Sequence, residues 1–82
     1  MPTVLRIAGL RVVIYSADHR PAHVHVVGRG GEAVFNLHCP KGPPELRETY
    51  GLSRSDVMRM RKLVVRHLSS LCAAWEEVHG EA

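Results

Sequence analysis

Arg20–Gly31, RPAHVHVVGRGG, decides the fold. Ala22–Val27 is rich in β-branched residues and alternates His23, Val24, His25, Val26, which is strand period. Gly28–Gly31 then supplies a strong turn signal, and Glu32–His38 reads as the returning strand. With the turn on Gly30-Gly31, Val26 meets Phe35 and Val24 meets Leu37, while His25 meets Asn36 and His23 meets His38. A turn on Arg29-Gly30 slips this register and keeps the same faces. Either way the valines point to one side and the two histidines to the other, an exposed face.

Upstream, Thr3–Ala8 and Arg11–Ser16 read as strands around Gly9-Leu10, a type II′ turn with Gly in its first central position. That pairing puts Ile7 opposite Val12 and Leu5 opposite Ile14, all on one apolar side. Ala17–Pro21 is a turn. Downstream, 39–52 reads as a linker in which Pro44 to Gly51 forms one or two helical turns, with Pro at the first position and Gly past the end. Ser53 is an N-cap with Asp56 three residues on, a variant of the capping box. Val57, Met60, Val64, Leu68, Leu71, Cys72, Trp75 and Val78 recur at helical spacing, so one helix is expected over about 53–79. The expected architecture is α+β, a single domain over 1–82: a four-stranded antiparallel meander over about 3–38, covered on one face by a long C-terminal helix.

Composition fits a small globular domain. The 82 residues are 45% hydrophobic and 23% charged. A chain this short buries only about 60% of its unfolded surface, so association would add stability, and open strands at Thr3–Ala8 or Glu32–His38 offer edges for it. No stretch approaches the roughly 18 apolar residues of a membrane span. With no basic, apolar leader, a cytoplasmic, reduced protein is expected. Cys39 then reads as a loop thiol and Cys72 as a buried small hydrophobe. Net charge is +3, and Arg54 to Arg66 holds five basic residues against Asp56 alone, while Glu76, Glu77 and Glu81 make the end acidic. Arg59, Lys62 and Arg66 share a helix face and, with Arg20 and Arg29, are the candidate nucleic-acid contacts.

The histidines have three readings. His23 and His25, about 7 Å apart at Cα on one strand face, suit two ligands of one divalent metal, with Asp18, His19 or His38 completing the set. Alternatively they are an acid–base pair for attack of a ribose 2′-hydroxyl on RNA. The charged phosphorane would be held by Arg20, Arg29, Lys41 or Arg47, with Tyr15 on the same face. The plainest reading is polar side chains on the wet face of a half-buried strand. No cofactor beyond such a metal is expected.

The stretch MPTVLRIAGLRVVIYSADHRPAHVHV, with the Gly turn, the short strand after it and the helix opened by GLSRSD, resembles the small bacterial family catalogued as domain of unknown function 4160. The most specific part is Asp18-His19-x-Pro21-x-His23-Val24-His25-Val26. Ala22 stands where the family usually has a second proline, and His38 to Tyr50 match less well. The resemblance implies one half of a toxin–antitoxin pair: an RNA-directed toxin or its regulatory partner, encoded beside another small protein. It directs attention to Asp18, His19, His23 and His25 as catalytic candidates. A non-enzymatic regulatory module that holds a protein, nucleic acid or metal is the alternative.

Overall fold

The structure, a computed structural model, describes residues 3–80. Five strands run as an antiparallel meander in the order β1 to β5: β1 Thr3–Ile7, β2 Leu10–Val13, β3 His23–Gly28, β4 Gly31–Asn36 and β5 Glu45–Tyr50. Two helices follow, α1 Arg54–Arg66 and α2 Leu68–His79. The class is α+β as expected, with one strand and one helix more. Glu81 of the acidic end lies outside the described residues.

Both short hairpins turn on a pair of left-handed residues, Ala8 (φ 51°) with Gly9 (φ 78°) and Arg29 (φ 55°) with Gly30 (φ 85°). Two successive positive φ values make a type I′ turn, whose twist matches that of the strands. The first hairpin therefore closes on Ile7 and Leu10, and Leu5 faces Val12. The expected register is corrected by two residues, a slip that keeps every side chain on its face. In the second hairpin the Arg29-Gly30 alternative holds: Val26 faces Ala33, Val24 faces Phe35, His25 faces Val34 and His23 faces Asn36.

The stretch expected as helical turns, Glu45–Tyr50, is strand β5, so 39–52 is not simply a linker. All six of its residues are exposed. The reason lies in β4, where Val34 and Phe35 are buried and their backbone needs partners that local helix formation in β5 would not supply. β5 provides them, pairing Phe35 with Leu46 and Glu32 with Tyr50. Gly31 permits the close approach, since a Cβ there would run into the Tyr50 carbonyl. The edges are thus β1 and β5, and Glu32–His38 is not one of them.

Ser53 caps α1 as expected: its Oγ accepts from the Asp56 N–H at 3.1 Å, and Asp56 Oδ2 accepts from the Ser53 N–H at 3.4 Å. The expected single helix is two. His67 leaves helical geometry (φ −109°, ψ 19°), although the amide of His67 still reaches Leu63 O and that of Leu71 still reaches His67 O. Neither Gly nor Pro stands at the break, and the apolar period of the sequence continues across it. Met60, Leu63 and Val64 of α1 and Leu71, Cys72 and Trp75 of α2 cover the sheet face that carries Val12, Ile14, Val24, Val26, Phe35 and Leu37.

Cys39 and Cys72 form a disulfide with Cα atoms 5.8 Å apart. This corrects the expectation of two separate thiols. Cys39 lies just beyond β4 and Cys72 in the first turns of α2. The bridge ties the β4–β5 connection to the helix that covers the core.

Candidate functional site

β3 begins at His23, at the end of the sheet where α2 finishes. The expected wet face is corrected here. His23 is 5% exposed, and its ring lies 5.3 Å from that of Trp75, which also stacks on His79 at 4.0 Å. His25 is half-buried between the buried Val13 and Val34, its partners in register on either side. The Tyr15 ring meets the His25 ring edge-on at 4.9 Å.

Asp18 reaches this pair from the turn before β3. The turn is self-bonded: the Tyr15 N–H donates to Asp18 Oδ2 at 2.9 Å, and the Asp18 N–H donates to Tyr15 O at 3.0 Å. The His79 ring also donates to Tyr15 O at 3.0 Å, so the end of α2 holds the same turn. Asp18 is thereby placed 3.5 Å from His23 Nε2 and 3.3 Å from His25 Nε2. One ligand atom from each of Asp18, His23 and His25 lies within 4.8 Å of the other two.

The outer ring nitrogens decide what this cluster can do. His23 Nδ1 is 2.8 Å from Pro21 O, and a carbonyl only accepts, so Nδ1 carries the proton. His25 Nδ1 is 2.8 Å from Glu32 Oε2 and donates to that carboxylate. In neutral imidazoles both Nε2 atoms then present lone pairs toward Asp18, whose oxygens are also acceptors. Three acceptors cannot bond one another. The cluster is satisfied either by added protons, which make imidazolium, or by a cation at its centre. Two carboxylates, Asp18 and Glu32, beside two neutral imidazoles carry the formal charge that a divalent ion cancels.

The other expected residues lie elsewhere. His19 is exposed and stands outside the cluster. Arg20 is exposed beside it. His38 is exposed and pairs with Glu45 at 2.9 Å; that hydrogen bond first, then the His38 charge, hold the Glu45 carboxyl below its ordinary 4.5. Lys41 is exposed in the β4–β5 connection, and Arg47 pairs with Glu48 on β5. Arg29 sits past the far end of β3 and pairs with Asp56 at 3.0 Å. There Arg29, Arg59, Lys62 and Arg66 line a groove floored by Leu10 and Leu63, so four of the five candidate nucleic-acid contacts converge. They do so away from the histidines.

Glu32, Trp75 and His79 are site residues that the sequence reading passed over. Glu32 had a legible signal: with the turn on Arg29-Gly30 it sits diagonal to His25 across the hairpin, within reach of a long side chain. Trp75 reads as core and is core. Its second role, against His23, depends on where α2 ends.

An α+β meander with a carboxylate and two histidines gathered at one end defines a small domain built around a histidine cluster. The chain belongs to the family described as "Domain of unknown function (DUF4160)", whose profile matches residues 9–76 and so includes every member of the cluster. Neither a curated protein nor a solved structure is significantly similar to it.

Proposed function

We propose that the protein binds one divalent transition-metal ion through Asp18, His23 and His25, and that this ion is its working centre. The observation that carries the reading is the orientation of the two rings. Each donates Nδ1–H outward, to Pro21 O and to Glu32, and turns Nε2 inward. That is the outer hydrogen bonding that metal-ligating histidines almost always make. Two of the three spacings support it. Ligands about 2.0–2.1 Å from a tetrahedral ion are about 3.3 Å from each other; the carboxylate-to-imidazole separations are 3.3 and 3.5 Å, and all three donor atoms lie within 4.8 Å of one another. Three protein donors leave a coordination position open, as in catalytic rather than structural zinc sites. Imidazole with carboxylate suits zinc, iron, nickel or copper.

The test is metal content of untagged protein after exposure to each ion and gel filtration. One ion per chain is expected, falling toward zero in Asp18→Asn and His25→Gln variants that keep the wild-type circular dichroism. Wild type retaining no more metal than those variants would sink the reading.

RNA as the target, and a toxin-like role beside an adjacently encoded small protein, belong to this proposal through the family resemblance. The groove of Arg29, Arg59, Lys62 and Arg66 supports nucleic-acid contact, and equally supports the alternative of a non-enzymatic binding module. RNA cleavage that needs the metal and is lost in Asp18→Asn favours the first. RNA binding that survives Asp18→Asn, without cleavage, favours the second. No helix among the described residues is long and apolar enough to cross a membrane. The expected cytoplasmic location is weakened by the Cys39–Cys72 disulfide, a bond that persists in oxidising compartments and is rare in a reducing cytosol.

A further inference from the structure

Three neighbouring grooves at the Arg29 end of the sheet share their walls. The central one, of about 380 Å³, lies between the β1–β2 turn, the β3–β4 turn and α1, and holds Arg29, Arg59, Lys62 and Arg66. Its Ala8 and Leu10 wall also bounds a second groove, along the β1–β2 hairpin, which holds Arg6 and Arg11. Its Lys62 and Arg66 wall also bounds a third, along the exposed side of α1, which adds Arg61. The three grooves form one continuous track, lined by seven of the chain's 11 Lys and Arg residues. Asp56 is the one carboxylate among the described residues that line it, and Arg29 already holds that carboxylate at 3.0 Å.

The length and chemistry of the track select its ligand. A single small anion would occupy the central groove, whose volume is that of a small-molecule site, and leave Arg6, Arg11 and Arg61 unanswered. A bilayer surface is flat and would rest on the rims. Arginine and lysine side chains only donate hydrogen bonds. An extended acidic peptide brings backbone N–H groups that such a track cannot accept from, whereas a phosphodiester backbone brings acceptors alone. Exposed Ile7, Met58 and Val65 stand among the cations, where the faces of unstacked bases can lie. A duplex keeps its bases stacked inside and offers those side chains nothing.

We propose that the protein binds a single-stranded nucleic acid along this track, with Lys62 and Arg66, which two grooves share, at its centre. The inference deepens the nucleic-acid contact proposed above by giving its path and strandedness; it rests on that reading for the choice of RNA, and not on the metal. Contact is made through phosphates, so binding tolerates any sequence and is steep in salt. Affinity falls with a log–log slope of about −0.7 for each phosphate neutralised.

The test is fluorescence anisotropy of labelled oligouridylates, from about 4 to about 16 nucleotides, with the full chain in a metal chelator. Affinity is expected to rise with length until the track is filled, and to exceed that for inorganic triphosphate, polyglutamate, a duplex of equal length and phosphatidylglycerol vesicles. Lys62→Ala/Arg66→Ala is expected to make the salt slope shallower by about 1.4, a loss of about 25-fold at about 0.1 M salt. Arg6→Ala/Arg11→Ala is expected to remove the gain from the longer oligonucleotides, and it decides the matter should the first variant fail to fold. Lys41→Ala/Arg47→Ala removes the same charge away from the track and is expected to bind as wild type does. Wild type that binds no oligonucleotide overturns the proposal, as does an equal loss in the Lys41/Arg47 variant. Triphosphate that competes as well as the longest oligonucleotide would give the central groove to a small anion and overturn it too. So would equal binding of polyglutamate, duplex or vesicles. Metal content is read on the same wild-type protein before chelation. Metal bound without oligonucleotide binding ends this inference and leaves the metal reading standing; oligonucleotide binding without metal does the reverse.

Discussion

The two faces of β3 are built on different physics, although their residues alternate along one short strand. Val24 and Val26 are fully buried against Phe35, Met60 and Trp75. Nothing about them is directional: any side chains of that volume and apolarity would serve, because their contribution is area withheld from water. His23 and His25 are held by single atoms, Nδ1 to Pro21 O and Nδ1 to Glu32, and the position of one proton on each ring decides what the ring can do. The first face serves the fold, and the second carries the proposed metal site. Loss of volume should therefore act on the first, and loss of one hydrogen-bond partner on the second.

The largest effect is expected where volume is removed from the valine face. Phe35 is fully buried opposite Val24. Phe35→Ala should cost about 3–5 kcal/mol, a large part of what an 82-residue domain has. Urea unfolding should show the midpoint collapse, with metal binding lost only as the fold is lost. The disulfide comes next. It joins residues 33 apart in sequence, and removing such a cross-link is worth roughly 3–4 kcal/mol through the unfolded chain. Cys39→Ser/Cys72→Ser should lower stability by that order, measured by the same titration. A double variant as stable as wild type would mean the bridge contributes nothing to folding.

The histidine face should respond in function and hardly in stability. Glu32 is partly exposed and touches His25 only through Nδ1. Glu32→Gln keeps the shape, replaces a carboxylate acceptor with an amide, and should weaken metal affinity by about 10–100-fold. Unfolding should move by well under 1 kcal/mol, as for surface substitutions in general. Calorimetric titration with zinc reads the first, urea the second. An unchanged affinity would detach Glu32 from the site, and a large loss of stability would erase the contrast between the faces.

What was legible in the sequence follows the same division. Alternation in HVHV separated the valines from the histidines correctly, because the valine face must be apolar in any register, but it did not reveal that the histidine side is largely covered. The capping box at Ser53 and Asp56 was legible for the same local reason. β5 was not. Glu45, Leu46, Arg47 and Glu48 are helix formers, and only the unpaired edge of β4 pulls them into a strand, which is information stored elsewhere in the chain. The break at His67 left no mark, since no Gly or Pro stands there and the apolar period continues across it. Of the site, Asp18, His23 and His25 could be named from the sequence but not separated from His19 and His38. That choice depends on the Tyr15–Asp18 turn, whose internal hydrogen bonds aim one carboxylate inward and leave His19 outside. The burial of His23 depends on how far α2 runs, which no residue near His23 records.

The smallest expected effect tests a point remote from both faces, where the turn after β3 meets the start of α1. The Asp56 carboxylate accepts from the Ser53 N–H and from Arg29 Nε, which lies 3.0 Å away. The Ser53 side chain first, then Arg29, and to a lesser degree the Ser53 N–H, hold its carboxyl below the ordinary 3.8. A carboxyl lowered on folding binds fewer protons in the native than in the unfolded chain, so stability rises with pH across the interval between the two values. The contribution is complete above about pH 4 and is lost as pH falls through the lowered native value. Asp56→Asn keeps a capping oxygen but cannot titrate. The difference in stability between wild type and Asp56→Asn should therefore be constant near neutrality and shrink below about pH 4, as read by urea unfolding along a pH series. Since Arg29 and Asp56 meet beyond the end of β3 opposite to His23, the same substitution should leave the metal affinity of the histidine face untouched. A gap between the two proteins that persists at the lowest pH would show that Asp56 acts by shape and not by charge, and would place it with Val24 and Val26.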